Sequence, residues 1–343
     1  MSSTDFDPGA VGVANGNYFG FPYIPEESSV VLLSAPWDVT TSYGGGAALG
    51  PQAIVDASVQ LDFYHPLVKT APTFGIATQH APAEWLEQSK FYRKKASALI
   101  AKLEKGEQFS TDDAAELEEV NKACRAFNEA VYQQTKFWLK KNKLVGLVGG
   151  DHSTPLGHIK AISEQHGSIG VLQLDAHADL RIAYEGFTYS HASIMHNVLQ
   201  LSNIEKLVQV GIRDLSKEEA LYAENDPRII PFYDVEIHKS RFEGNTWKSV
   251  CESIIQQLPE KVYISFDIDG LQPELCPNTG TPVPGGLDFQ ETVYLLTLLA
   301  ESGKQIVGFD LNEVSPGNDE WDANVGARML YQLSCLMHYS QQT

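Results

Sequence analysis

Basic residues are scarce. Lysine and arginine number 25 against 44 aspartates and glutamates, a formal net charge of −19. That balance repels phosphate backbones and anionic bilayers, so nucleic acid and membrane surfaces are excluded as partners, whereas a cationic ligand suits it. Cysteine is scarce too. Cys124, Cys251, Cys276 and Cys335 lie far apart with no C-x-x-C pair, which argues against a disulfide framework and suits reduced thiols in a cytoplasm. None is placed as a catalytic nucleophile. No apolar run approaches a membrane span, and no cationic segment followed by an apolar stretch opens the chain, so neither an anchor nor a secretory signal is expected. The phosphate-binding patterns G-x-x-x-x-G-K-[ST] and G-x-G-x-x-G are absent as well.

What is present reads as an α/β protein. The 343 residues, 43% hydrophobic and 20% charged, suffice for a sizeable core. Residues 1–29, rich in Gly, Pro, Asn and Ser, form an irregular N-terminal arm. Residues 30–343 read as a single domain, with no linker and no internal repeat. Apolar runs place strands at Val30–Ala35, Thr73–Ala77, Leu144–Val148, Ile169–Leu174, Leu207–Ile212, Ile229–Tyr233, Val262–Phe266 and Ile306–Phe309. Helical segments include one from Pro51 through Ala57, then Glu84–Glu104, Thr111–Lys141, Leu156–His166 and Glu291–Ser302. Ser110 with Asp113 resembles an N-cap pair. The result is a three-layer αβα fold with a central, mainly parallel eight-stranded sheet. A helical insertion around 84–110 has three readings: an oligomer contact, a lid or a surface decoration. Tyr43-Gly44-Gly45-Gly46 lies in a glycine-rich loop on the substrate side.

In such a sheet, functional residues belong just past the carboxyl ends of strands. Gly149-Gly150-Asp151-His152-Ser153 follows one strand, and Asp175-Ala176-His177-Ala178-Asp179 follows the next. Asp267-Ile268-Asp269 and Asp310-Leu311-Asn312-Glu313 follow two more. Side chains at i, i+2 and i+4 share a face in an extended chain, so Asp175, His177 and Asp179 form one ligand face. Taken alone, that run also reads as a polar turn. Together, His152, Asp175, His177, Asp179, Asp267 and Asp269 suit two divalent cations with shared carboxylates, since so many buried carboxylates repel one another without them. An oxygen-rich donor set with one imidazole per metal suits Mn²⁺ better than Zn²⁺. Two such ions roughly 3.5 Å apart acidify a bridging water and predict hydrolysis.

The three runs Gly-Gly-Asp-His-Ser, Asp-Ala-His-Ala-Asp and Ser-Phe-Asp-Ile-Asp-Gly-Leu resemble the signatures of the ureohydrolase family, in the family's order. That family includes arginase, agmatinase, guanidinobutyrase, proclavaminate amidinohydrolase and formimidoylglutamase. The resemblance extends from about Val30 to the C-terminus. It implies two Mn²⁺ per chain, one held by His152, Asp175, Asp179 and Asp267, the other by Asp175, His177, Asp267 and Asp269. It also implies a guanidinium anchor at Glu313, a proton-shuttling His191, and Asp179 as acceptor of a proton from the metal-bridging water. The products are urea and an amine. A homo-oligomer, trimeric or hexameric, follows from the same resemblance.

The segment Leu180–Tyr189 lacks the Thr/Asn/Ser-rich stretch with which arginases receive an α-carboxylate, and it is closer to bacterial agmatinases. Agmatine, a small cationic guanidino compound of polyamine metabolism, is therefore the favoured substrate, with Tyr184, Glu185 and Phe187 lining the passage for its tail. Arg181 has two readings: a structural pair with a neighbouring acid, or a receptor for a substrate carboxylate. Arginase, guanidinobutyrase, guanidine hydrolase and formimidoylglutamase activities are the alternatives within the class. A non-catalytic binding member and a one-zinc, deacetylase-like amide hydrolase are the alternatives outside it.

Overall fold

The computed structural model describes residues 6–69 and 73–342; residues 1–5 of the arm lie outside the described residues. Eight strands form one sheet: β1 (Val30–Ala35), β2 (Ile76–Gln79), β3 (Leu144–Gly149), β4 (Ile169–Leu174), β5 (Ile204–Ile212), β6 (Ile229–Tyr233), β7 (Lys261–Asp267) and β8 (Gln305–Asn312). Their order is β2-β1-β3-β8-β7-β4-β5-β6, and every neighbouring pair is parallel. The strand expected over 73–77 begins only at Ile76. Gly75, at φ 78°, is in a conformation no strand residue adopts, and its carbonyl instead receives the Ser29 and Val30 N–H groups.

Strand side chains alternate between faces, and both faces here are apolar because both are covered. Val30 and Leu32 enter one core layer, Val31 and Leu33 the other. Helices α1 (Gly50–Ser58), α8 (Trp247–Gln256), α9 (Phe289–Glu301) and α10 (Trp321–Ser340) supply the first layer. The second is supplied by α2 (Ala83–Glu104), α3 (Thr111–Leu139), α4 (Leu156–His166) and α5 (Ile194–Leu199). Helices α6 (Lys217–Asn225) and α7 (Asp234–Phe242) flank β6. A capping box at α3, in which Ser110 and Asp113 exchange side chain-to-backbone hydrogen bonds, fixes where α2 ends and α3 starts.

The arm is irregular in backbone yet part of the core. Phe19 and Phe21 are buried and pack on Phe63, at 6.2 and 4.7 Å between ring centroids. The Tyr18 hydroxyl lies 2.8 Å from Ser34 Oγ on β1.

Strand order positions the site. β3 and β4 are consecutive in sequence, but β8 and β7 are inserted between them. The four strands whose ends carry the candidate ligands and Glu313 are therefore side by side at the centre of the sheet.

Candidate metal centre

The turn after β3 brings the backbone against its neighbours. A Cβ at Gly150 would lie 2.0 Å from the Trp37 carbonyl oxygen, so only glycine fits before Asp151 and His152. His152 is buried, with Nε2 2.9 Å from Ser265 Oγ, whose hydroxyl in turn donates to Asp310 Oδ1 at 3.1 Å. Because the Ser265 proton is committed to Asp310, His152 carries a proton on Nε2, and Nδ1 is the nitrogen turned to the carboxylates. That Nδ1 faces Asp175 Oδ2 at 2.9 Å, Asp179 Oδ2 at 3.2 Å and Asp267 Oδ2 at 3.3 Å. Burial alone would lower the His152 imidazole, but the three carboxylates raise it well above its ordinary value, so the site calls for positive charge at Nδ1, from a proton or from a metal ion.

The second group is built the same way. His177 Nδ1 lies 3.0 Å from Asp269 Oδ2 and 3.6 Å from Asp175 Oδ1. Asp175 thus turns one oxygen to each imidazole, and it is the member shared by the triads His152/Asp175/Asp267 and Asp175/His177/Asp269. Asp267 belongs to the first triad, and its Oδ1 accepts the Asp269 N–H at 2.9 Å.

The electrostatics express the same demand for cations. Burial alone would lower the His177 imidazole, but Asp269 and Asp175 push it up to about 12. Burial raises Asp267 well above the carboxylate range, and Asp269 and Asp175 add to this. Asp179 is pushed up to about 7, by burial and then by Asp175. Burial would raise Asp175 too, yet the two imidazoles hold it below its ordinary value. Two imidazoles and four carboxylates, all oxygen and nitrogen donors, fit a pair of divalent cations.

The convergence does not come from an extended strand. β4 ends at Leu174, and Asp179 sits at φ 54°, a left-handed conformation that aspartate tolerates better than most residues. Amide donors pin the irregular turn: Gln173 Nε2 to Asp175 Oδ2 at 2.8 Å, and Gln209 Nε2 to the Ala178 carbonyl at 2.8 Å.

Glu313 follows β8 at φ 61°. Its Oε1 accepts the His152 N–H at 2.9 Å, while its buried Oε2 has no partner. Burial, then the nearby Asp151, pushes its carboxyl well above the ordinary range. A half-satisfied buried carboxylate is suited to a cationic donor.

A cleft of about 170 Å³ opens in front of the centre and is lined by His177, Asp179, Arg181, Tyr184 and His191. The His191 ring meets Tyr184 edge-on, at 6.1 Å and 90°. Burial, then the positive charge of His177, lowers the His191 imidazole to about 3. Arg181 lies over the Tyr184 ring at 4.8 Å, with Nε 3.6 Å from Glu219 Oε2. Neither Glu185 nor Phe187 lines the cleft: Phe187 is buried in the core, and the Glu185 carboxylate accepts from Ser42 Oγ at 3.1 Å.

Sequence reasoning missed several lining residues, among them Ser42, Asp214, Glu219 and Thr281. Asp214 had a signal. It stands two residues past β5, at the same sheet edge as the other carboxylates, and its Oδ2 lies 4.0 Å from His177 Nε2. Glu219 had none, because it reads as the capping-box partner of Ser216, a role it also fills.

Comparison with known proteins agrees with this geometry. A family model described as the arginase family matches residues 28–335. N(1)-aminopropylagmatine ureohydrolase of Thermus thermophilus is 32% identical over 310 residues, covering 90% of this chain and 89% of that protein. Agmatinase of Bacillus cereus is 27% identical over 297 residues, covering 87% of each. Two solved structures share the fold. One is agmatine ureohydrolase of Thermoplasma volcanium, with TM-score 0.70 at 22% identity, covering 99% of this chain and 97% of that one. The other is proclavaminate amidinohydrolase of Streptomyces clavuligerus, with TM-score 0.71 at 24% identity and coverage of 95% and 97%. The match runs through every ligand-bearing turn and the strands that carry them, and the chain belongs to the arginase family.

Proposed function

We propose that this arginase-family hydrolase is a binuclear manganese ureohydrolase. It cleaves the guanidinium C–N bond of a substrate with a cationic tail, agmatine or N(1)-aminopropylagmatine. One observation supports the choice of tail. Among the described residues lining the cleft, Arg181 is the only lysine or arginine, and Glu219 engages it. A substrate carboxylate finds no free cation there, and Asp214 and Glu219 favour a positive tail.

His152, Asp175, His177, Asp179, Asp267 and Asp269 would hold the two ions, with Asp175 shared. The chemistry that two bound divalent cations supply is a water acidified to hydroxide near neutral pH. The free Oε2 of Glu313 receives guanidinium N–H donors and holds the planar carbon in place for attack. Asp179 takes the proton that the attacking water loses. His191 is held neutral, with one ring nitrogen to accept a proton and one to donate, and Ser190 Oγ lies 3.3 Å from its Nδ1. That is the state of a relay rather than a stored acid, and we assign His191 to passing a proton to the leaving amine. Water adds to the guanidinium carbon, the bond to the tail nitrogen breaks, and urea and a primary amine leave.

The test is urea release by manganese-loaded protein from agmatine, N(1)-aminopropylagmatine, arginine, 4-guanidinobutyrate and guanidine, and formamide release from formimidoylglutamate. Metal analysis of the same protein should find about two Mn per chain. Preference for agmatine or N(1)-aminopropylagmatine supports the reading, and preference for arginine, guanidinobutyrate or guanidine overturns the tail assignment. A single Zn with no urea from any compound overturns the reaction. A trimer or hexamer belongs to the same proposal and is checked by light scattering.

A further inference from the structure

Two segments bring Ser42, Tyr43 and Tyr184 to the cleft wall, and both are gripped by the same pair of helices. The first is the glycine-rich loop after β1, which brings Ser42 and Tyr43 to the cleft. Its other anchors are Gly44 N–H to the Gly280 carbonyl at 3.2 Å and Gly46 N–H to Asp38 Oδ2 at 3.0 Å. Arg93 of α2 reaches into it, donating to the Thr41 carbonyl and, at 3.4 Å, to that of Val39. A guanidinium that donates to two backbone carbonyls holds a loop with few side chains of its own.

The second segment is the tight turn Tyr184-Glu185-Gly186-Phe187, in which Tyr184 and Phe187 exchange backbone hydrogen bonds of 3.2 and 2.8 Å. Glu185 and Gly186 both have positive φ, 55° and 88°, the pattern of a type I′ turn. Asn121 of α3 holds this turn with both ends of its amide. Its Nδ2 donates to the Gly186 carbonyl at 3.2 Å, and its Oδ1 accepts the Thr188 N–H at 2.9 Å. Arg125, one turn further along α3, donates to the Tyr189 hydroxyl at 3.2 Å. Ser42 and Glu185 join the two segments to each other. Lys95–Glu119 and Lys102–Asp113, both at 2.6 Å, join α2 to α3.

We propose that the α2–α3 hairpin is the scaffold that shapes the cleft wall, with Arg93 and Asn121 as positioning residues for the tail-binding segments. Neither residue is among those lining the cleft, and neither is a candidate metal ligand. Their effect passes through Ser42, Tyr43 and Tyr184. Its kinetic consequence rests on the ureohydrolase reading above.

The test compares Arg93→Ala, Arg93→Lys and Asn121→Ala with the wild type, all manganese-loaded. Backbone hydrogen exchange should accelerate about tenfold over residues 39–46 in Arg93→Ala and over 184–189 in Asn121→Ala, with metal content unchanged. On whichever guanidino substrate the wild type cleaves, KM should rise about tenfold in Asn121→Ala while kcat stays within about threefold, because tail binding rather than the reacting centre is disturbed. For Arg93, whose charge also acts on His191, Arg93→Lys is the kinetic comparison because it keeps that charge. Arg93→Lys should fall between wild type and Arg93→Ala, since an ammonium restores the charge but not the fork. If Arg93→Ala does not fold, the lysine variant and Asn121→Ala carry the test. Unchanged exchange in both segments, or a fall in kcat at constant KM, overturns the scaffold role. If the wild type releases no urea from any compound, the reaction assignment fails, while the exchange experiment still decides the scaffold.

Discussion

The metal centre and the cleft wall stand side by side and are built on different plans. The centre takes its donors from three short runs, each at the end of a strand in the middle of one sheet, so the rigid ladder of β3, β8, β7 and β4 sets their positions. The wall takes Ser42, Tyr184, Asp214 and Thr281 from four loops. Those loops are held by contacts that skip far along the chain, such as Asn121 to Gly186 and Ser42 to Glu185. A site on strand ends has one geometry, whereas a wall made of braced loops is open to change without loss of the chemistry. Substitutions in the centre should therefore affect metal and turnover together, and substitutions in the wall should affect substrate binding and selectivity with metal content unchanged.

The largest effect belongs to the shared ligand. Asp175→Asn should lower kcat on the order of 10⁴-fold and reduce the bound metal, read by urea release and elemental analysis. Glu313→Gln should cost about a hundredfold in turnover with metal content intact, because the free Oε2 loses its charge while the amide oxygen can still accept the His152 N–H. Equal loss of metal in the two variants would merge anchor and centre into one unit. Ser265→Ala should weaken metal binding about 10- to 100-fold in chelator competition, since it releases the Nε2 end of His152 without removing a ligand.

A wall prediction completes the contrast. Glu219→Gln removes the carboxylate that engages Arg181 and frees a guanidinium beside the cleft. Discrimination against arginine relative to agmatine should then fall about two- to fivefold, the scale of a partly exposed ion pair. Adding Arg181→Ala should reverse the gain. A fall in metal content in Glu219→Gln would break the division between wall and centre.

The difference in plan also explains what could be read from the sequence. Strands such as Ile169–Leu174 and Ile229–Tyr233 announce themselves as apolar runs because both sheet faces are covered, and their bounds agree with the structure. His152, Asp175, His177, Asp179, Asp267 and Asp269 cluster because the rule that function follows strand ends is local to each run, while the parallel sheet supplies the rest. Strand alternation does not bring Asp175, His177 and Asp179 together; they converge through a turn pinned by Gln173 and Gln209. The Arg93 and Asn121 grips were illegible, because a polar residue on a long helix gives no sign of which distant carbonyl it faces. Arg181 was legible as an alternative only, and the pairing that favours its structural reading depends on a glutamate that capping already accounted for.

A last prediction concerns the packing of α4 against α3. His158 on α4 is fully buried, with Nδ1 2.9 Å from Thr135 Oγ1 on α3. Burial lowers its imidazole to about 3, from an ordinary 6.5. Between those values the unfolded chain binds a proton that the folded chain refuses, so stability rises with pH there. The contribution is undiminished above about 6.5 and is lost progressively as pH falls toward about 3. One proton sets the limit on slope, about 1.4 kcal/mol per pH unit. Asp179, pushed up to about 7, brings its own pH dependence over part of the same range, so the useful quantity is a difference. Urea unfolding of chelator-treated wild type and His158→Leu should give pH profiles that run parallel above 7, offset by the lost Thr135 contact, and change their separation below 6, the wild type losing stability faster on acidification. Profiles parallel over the whole range would mean that His158 takes up its proton in the folded chain as readily as in the unfolded one. The α3–α4 contact would then be more solvated than its packing implies.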